Sequence, residues 1–422
     1  MRNWLAVTAG GLVAAAVLGA CPAAQAAGGA PSVNSVCRYG GTLMRPTLMR
    51  TDKLGVKYYS YGAVPGMVTK VPPRGLAAGQ VTPAMLGDLG LAPASRSTTA
   101  SGSTRAPASS AAMQRLDSAA ISLAKGGAPT LCAGTASDRS LFGGQVNQRA
   151  ASSSPRYGID SSDWGGYGIE ASQFGGAINA AEGAWNVGNG TTSPTSDPKI
   201  SEATWVGVGA LSPSPTSPSG LIQAGVSMVS DSASPKIPDG YTSWIEVLGV
   251  ENSGGGLLGC VSGAYNNSSN ANNDCNPIYN SSDSTRPGDA VLVRTWYNSS
   301  SQACFVLVDY SHSSGSIASS CYKAAVYDHN SGEWINENWL SKGYVYNNPG
   351  TISFNTQNVS GAFGGGSWQQ PFDNSVPGSY ETVNMYTSGG VNGCTAGQLL
   401  SKGVNASGQA SQIATYHVAG CD

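Results

Sequence analysis

Hydrophobic and polar positions change rhythm along the chain. From about residue 158 onward they alternate in short runs separated by Gly, Asn, Ser and Pro. The runs "KISEATWVGVGA" (199–210), "LIQAGVSMVS" (221–230), "YTSWIEVLG" (241–249), "AVLVRTWYN" (290–298), "ACFVLVDYS" (303–311), "EWINENWL" (333–340) and "GTISFNT" (350–356) each read as a strand. Short strands at regular spacing with turn residues between them predict an all-β, antiparallel sandwich or barrel. The 265 residues of 158–422 are enough to enclose one core.

Alternation also predicts which side chains meet. In the 221–230 run, Ile222, Ala224, Val226 and Met228 form an apolar face, which leaves Gln223 on the other face with Leu221, Gly225 and Ser227. By the same count Val206 and Val208 point to the core and Trp205 away from it. Ile245 and Val247 point inward, and Trp244 and Glu246 outward. In "EWINE", Glu333, Ile335 and Glu337 share one face and Trp334 and Asn336 the other, and periodicity alone does not say which is inward.

The first 157 residues follow a different pattern. The opening "MRNWLAVTAGGLVAAAVLGACPAAQA" has a basic start, an apolar run and an A-x-A site, the order of a secretory signal cleaved after Ala26. Short apolar pieces then mix with Pro and Gly up to residue 94. A Ser-rich linker (92–112), a helix over 111–127 and a second Ser-rich joint (149–156) complete a region expected to span 27–157. The chain holds nine cysteines, and cleavage after Ala26 leaves eight, an even number suited to secretion and disulfides. The alternative is lipid anchoring through Cys21, behind Leu18-Gly19-Ala20. Proximity pairs Cys37 with Cys132, Cys260 with Cys275, Cys304 with Cys321 and Cys394 with Cys421.

Charge sharpens this division. Residues 27–157 carry 14 Lys+Arg against 4 Asp+Glu, a net +10, whereas residues 158–422 carry 7 against 20, a net −13. Two oppositely charged parts attract at neutral pH, and the attraction fades as carboxylates protonate near pH ~4. A basic prosegment held on an acidic domain until the medium turns acid fits this distribution, as does a basic surface-binding domain.

Several chemistries are excluded by what the chain lacks. Its three histidines form no H-E-x-x-H, there is no G-x-S-x-G, and no Asp-Thr-Gly or Asp-Ser-Gly supplies paired aspartates. Carboxylate and amide groups on strands remain as the reactive candidates.

The runs "SSDWGGYG" (161–168), "GAWNV" (183–187), "ATWVGVG" (203–209), "LIQAGV" (221–226), "SWIEVL" (243–248), "RPGDAVLV" (286–293), "GEWINE" (332–337) and "GTISF" (350–354) occur in the order found in the glutamic peptidases. Residues 158–422 therefore resemble the eqolisin family. The resemblance implies a sandwich of two bent antiparallel sheets, a catalytic pair Gln223 and Glu333, and a substrate groove lined by Trp164, Trp205, Glu246 and Glu337. Glu337 is also the rival for the role of general base. The resemblance further implies a secreted, monomeric acid endopeptidase made as a proenzyme, with polypeptide substrates and its own prosegment as inhibitor. No metal, cofactor, nucleic acid or membrane is required. A Glu of ordinary pKa would then serve as base around or above pH ~4. Departures occur at Leu248, where the family carries a groove tyrosine, at Asn336, and in the polar insertion 251–285. Two other readings remain. One is a carbohydrate- or wall-binding sandwich displaying its tryptophans. The other is a glycosidase pairing Glu333 with Glu246.

Overall fold

The computed structural model describes residues 42–62, 64, 66–92, 110–134, 159–161, 164–188, 199–209, 211, 219–231, 240–250, 257–258, 278–282, 284–323, 327–337, 345–346, 352–365, 368–369 and 381–385. The expected signal, residues 93–109 of the first Ser-rich linker, the second Ser-rich joint, most of the 251–285 insertion and the cysteines at 37, 260, 275, 394 and 421 lie outside these residues.

Two largely antiparallel sheets face each other, as the strand pattern predicted. The larger sheet runs, in spatial order, through Thr42–Met44, Leu131–Ala133, Ile278–Asn280, Gly240–Val250, Ser219–Asp231, Lys199–Val208, Ser331–Glu337, Trp164–Glu170, Glu381–Met385 and Ile159–Ser161. The smaller runs through Phe354–Ser360, Ala180–Asn186, Ala290–Ser299, Gln302–Asp309, Ile317–Lys323, Val68–Val71, Lys57–Ser60 and Thr47–Thr51. The last sequence-predicted strand is displaced, starting at Phe354 rather than residue 350.

The main core fills the space between the sheets. Tyr167, Ile169, Val206, Val208, Ile222, Ala224, Ile245, Val247 and Trp334 enter it from the larger sheet. Trp185, Val291, Val293, Phe305 and Leu307 enter it from the smaller. Trp334 thus points inward, and its indole Nε1 donates to the Glu182 carbonyl at 2.7 Å. That settles the ambiguity in "EWINE", because Glu333, Ile335 and Glu337 must occupy the opposite face.

A second core lies behind the smaller sheet. Leu292, Trp296, Cys304, Val306, Val308 and Ala318 form its floor, and residues from 56–123 cover them, including Val56, Leu86, Leu89, Leu91, Leu116 and Leu123. The helix Ser110–Gly126 buries Leu116, Ala119, Ala120, Leu123 and Ala124, the spacing of one helical face. Gly90 lies so close to Trp296 that an added Cβ would sit 2.3 Å from the ring. Arg294 is 1% exposed and fixes this layer: it pairs with Glu182 and donates from Nη1 to the carbonyls of Gly90 (2.9 Å) and Ala92 (3.0 Å).

The part read from sequence as a prosegment therefore contributes strands to both sheets. Leu131–Ala133 pairs with Ile278–Asn280, and Val68–Val71 pairs with Ile317–Lys323. Any processing step would have to strip these strands away. Cys304 and Cys321 are bridged across paired strands, as proximity predicted, and Cys132 is also disulfide-bonded. No helix among the described residues is long and apolar enough to cross a membrane.

Candidate active site

The outer face of the larger sheet brings the sequence-predicted residues into register. Gln223 lies opposite Glu246 on one side and Gly207 on the other. Gly207 lies opposite Glu333, which in turn faces Gly168. One continuous row thus reads Glu246, Gln223, Gly207, Glu333, Gly168. Since strands sit about 4.8 Å apart, roughly 10 Å separates the backbones of Gln223 and Glu333. Their side chains flank a position with no side chain of its own.

Gly207 has no room for anything larger. A Cβ there would come 2.8 Å from Trp205 Cζ3, 2.9 Å from Leu221 Cδ1 and 3.2 Å from Glu333 Oε2. At Gly168 a Cβ would lie 2.2 Å from Leu211 Cδ2. The two glycines let Trp205, Leu221 and Leu211 fold down against the sheet around the Glu333 carboxyl.

The next rows supply the remaining candidates. Trp205 and Ile335 are paired, as are Glu337 and Trp164. Trp205 Nε1 donates to Glu337 Oε2 at 2.8 Å, and the Trp164 and Trp205 rings meet edge-on with centroids 5.0 Å apart. Glu337 is therefore engaged by an indole. Leu248, where the resembled family carries a tyrosine, is buried opposite Leu221. Asn336 points to the inner side and donates from Nδ2 to Thr204 Oγ1 (2.9 Å) and Glu202 Oε1 (3.2 Å). This polar cluster explains the asparagine at a position where the resembled family is apolar.

Gln223 and Glu333 differ sharply in their partners. Gln223 donates from Nε2 to Glu246 Oε2 at 2.8 Å, which orients the amide; its Oε1 has no hydrogen-bond partner among the described residues. Neither oxygen of Glu333 makes a well-formed hydrogen bond among those residues. Burial pushes the Glu333 carboxyl well above the ordinary glutamate range. The neighbouring Ser331 hydroxyl opposes this shift, and the charge of Asp328 adds to it. The expectation of an ordinary Glu is thus corrected: Glu333 and Gln223 are both at 0% exposure, where a carboxylate loses the solvation that favours its charge.

All six candidates, Trp164, Trp205, Gln223, Glu246, Glu333 and Glu337, are buried, so the row is covered rather than open. A cavity of about 270 Å³ lies beside the smaller sheet, lined by Arg115, Trp185, Tyr310 and Asn355 among others. No acid lines it, so it offers no base for hydrolysis.

Sequence reasoning found the polar members of the row and put Gly207 on their face, but missed Gly168, Leu211 and the tight packing over Gly207. The signal was present in "TWVGVG" and "DWGGYG": glycine alternating with large residues within a strand marks close approach from above.

No protein-family model matches this chain, and a comparison with curated proteins found no match. Solved structures that resemble it include a scytalido-glutamic peptidase with a transition-state analogue inhibitor. That match has 13% identity and a TM-score of 0.30, and covers 56% of this chain and 94% of that one. A second, of the same peptidase with a peptide-based transition-state analogue, has 14% identity and a TM-score of 0.29, covering 47% and 80%. A third, SCP-B of the eqolisin family with the tripeptide Ala-Ile-His, has 14% identity and a TM-score of 0.28, covering 48% and 81%. Likeness at this level carries no weight for activity or residue roles.

Proposed function

We propose that this chain is a secreted acid endopeptidase, made as a proenzyme, in which Glu333 is the general base and acid and Gln223 stabilises the oxyanion. The observation that carries the reading is the row Glu246–Gln223–Gly207–Glu333, with an oriented amide and a buried carboxyl flanking a bare glycine. The ordered motifs of the sequence point the same way.

The chemistry follows from the groups. A water placed over Gly207 can donate one proton toward Glu333 and the other to Gln223 Oε1. Glu333 removes its proton as the oxygen attacks the amide carbon. Gln223 Nε2 has two hydrogens; Glu246 engages one, and the second can meet the developing oxyanion. Glu333 then hands its proton to the leaving nitrogen. The raised affinity of Glu333 for a proton favours this last step and opposes the first. The covered row therefore corresponds to a resting form, and substrate and water must enter before the carboxyl ionises.

Two other readings fit less well. A glycosidase needs two carboxyls free to act on the sugar, whereas the Glu246 carboxyl is bonded to the Gln223 amide. A sugar platform needs exposed rings, and Trp164 and Trp205 are 2% and 0% exposed.

Purified full-length protein, acidified and given a denatured protein substrate, should cleave it without added metal and in the presence of a chelator. Gln223→Ala and Glu333→Ala should abolish the cleavage. Full activity in both variants would refute the mechanism.

A further inference from the structure

Two acids and a histidine meet at one end of the smaller sheet, away from the Gln223 row. Asp289 immediately precedes Ala290–Ser299, and Asp309 closes the neighbouring Gln302–Asp309 strand, paired with Val291. His312 follows in the turn before the short 3-10 helix Ser313–Gly315. One ligand atom from each of the three residues lies within 4.8 Å of the others.

The backbone organises this cluster. Asp309 Oδ1 accepts the N–H groups of Ser311 (2.8 Å) and His312 (2.9 Å), which fixes the turn. Asp289 Oδ2 accepts the Arg286 N–H at 2.7 Å and lies 2.9 Å from His312 Nδ1. Asp309 is fully buried, and its Oδ2 has no hydrogen-bond partner among the described residues. Among those residues no lysine or arginine forms an ion pair with either acid, and the Arg286 side chain is exposed. Among the described residues, His312 is the group in the cluster that can carry positive charge.

Two nearby carboxylates with so little water need either a shared proton or a cation to neutralise them. The donors decide its class. Calcium and magnesium prefer all-oxygen shells, whereas an imidazole with two carboxylates suits zinc or manganese. His312 is about one-third exposed, so ion and water can enter from its side.

We propose that Asp289, Asp309 and His312 bind one divalent ion of the zinc or manganese class, which clamps this end of the sandwich. The surroundings suit a clamp. Ser122, on the helix Ser110–Gly126, donates to the Asp309 carbonyl at 2.7 Å. Asn280, on the larger sheet, donates from Nδ2 to the carbonyls of Ser314 (2.6 Å) and Ser316 (3.0 Å). An ion here would stiffen a turn that touches both sheets and the helix. The inference is independent of the peptidase reading.

Chelator-treated full-length protein should be titrated at neutral pH with zinc chloride, manganese chloride and calcium chloride in separate calorimetric runs, and its melting followed with each. The expected result is one equivalent of zinc or manganese bound at about 10 µM or tighter, with a raised melting midpoint. His312→Ala, at a partly exposed position where folding is not at stake, should weaken binding by roughly 100-fold or more. Asp309→Asn should do the same, and if it fails to fold the histidine variant carries the test alone. The proposal is overturned if zinc and manganese neither bind nor shift melting at about 1 mM. Binding of calcium alone, or affinity unchanged in His312→Ala, would overturn it equally.

Discussion

At the scale of single residues, the site is defined by what Glu333 lacks. Its carboxyl is buried without a well-formed hydrogen bond among the described residues and holds its proton well above the ordinary range. The sign of the linkage follows. A carboxyl with a raised folded-state pKa favours folding below its unfolded value, about 4.3. That contribution is lost as pH rises through the folded-state value, because the unfolded chain releases the proton first. Glu333→Gln, which cannot ionise, should therefore melt higher than the parent at neutral pH and nearly the same at pH 4, read by circular dichroism. An equal shift at both values would mean that the carboxyl is already solvated. Periodicity placed Gln223, Trp205 and Glu246 on the outer face, which is where they lie. It could not orient Glu333, because both faces of "EWINE" carry one large apolar side chain, and only the inward Trp334 resolves the choice.

At the scale of elements, the least legible feature was the layer behind the smaller sheet. The runs "AVLVRTW" and "ACFVLV" are apolar at consecutive positions, the pattern of a strand buried on both faces. Val291 and Val293 enter the main core, and Leu292 and Trp296 the second one. That continuous apolarity announced a cover, but not which segment supplies it. The cover includes residues 56–92, whose short strands are separated by Pro and Gly and carry little periodic signal of their own. Arg294 sits between the layers with its charge matched by Glu182 and two carbonyls. Arg294→Ala strands the Glu182 carboxylate and should cost about 3–5 kcal/mol in denaturant unfolding. A loss under about 1 kcal/mol would show that water reaches the pair.

At the scale of the whole molecule, the opposed charges of residues 27–157 and 158–422 accompany an interleaved fold. Strands from 42–133 extend both sheets, and a helix from the same region closes the second core. A chain starting at residue 158 would bare Leu292, Trp296, Val306 and Val308, each losing roughly 1.5–3 kcal/mol of burial. Such a chain should melt well below the full-length protein or aggregate, as scanning calorimetry and gel filtration would report. An unchanged midpoint would mean that the N-terminal layer adds nothing to stability. The same interleaving gives acid a physical task, since protonating carboxylates weakens the attraction between the two parts while Glu333 stays neutral in its covered row.

In the proposed mechanism Glu333, and not Glu337, exchanges the proton with water and the leaving nitrogen. Steady-state cleavage of one peptide by acid-treated parent, Glu333→Gln and Glu337→Gln tests it most directly. Glu333→Gln should lose about 10²–10⁴ in kcat/KM. For Glu337→Gln, whose carboxylate holds the Trp205 indole, the loss should stay within about tenfold and fall mainly on KM. An inactive Glu337→Gln beside an active Glu333→Gln would contradict it.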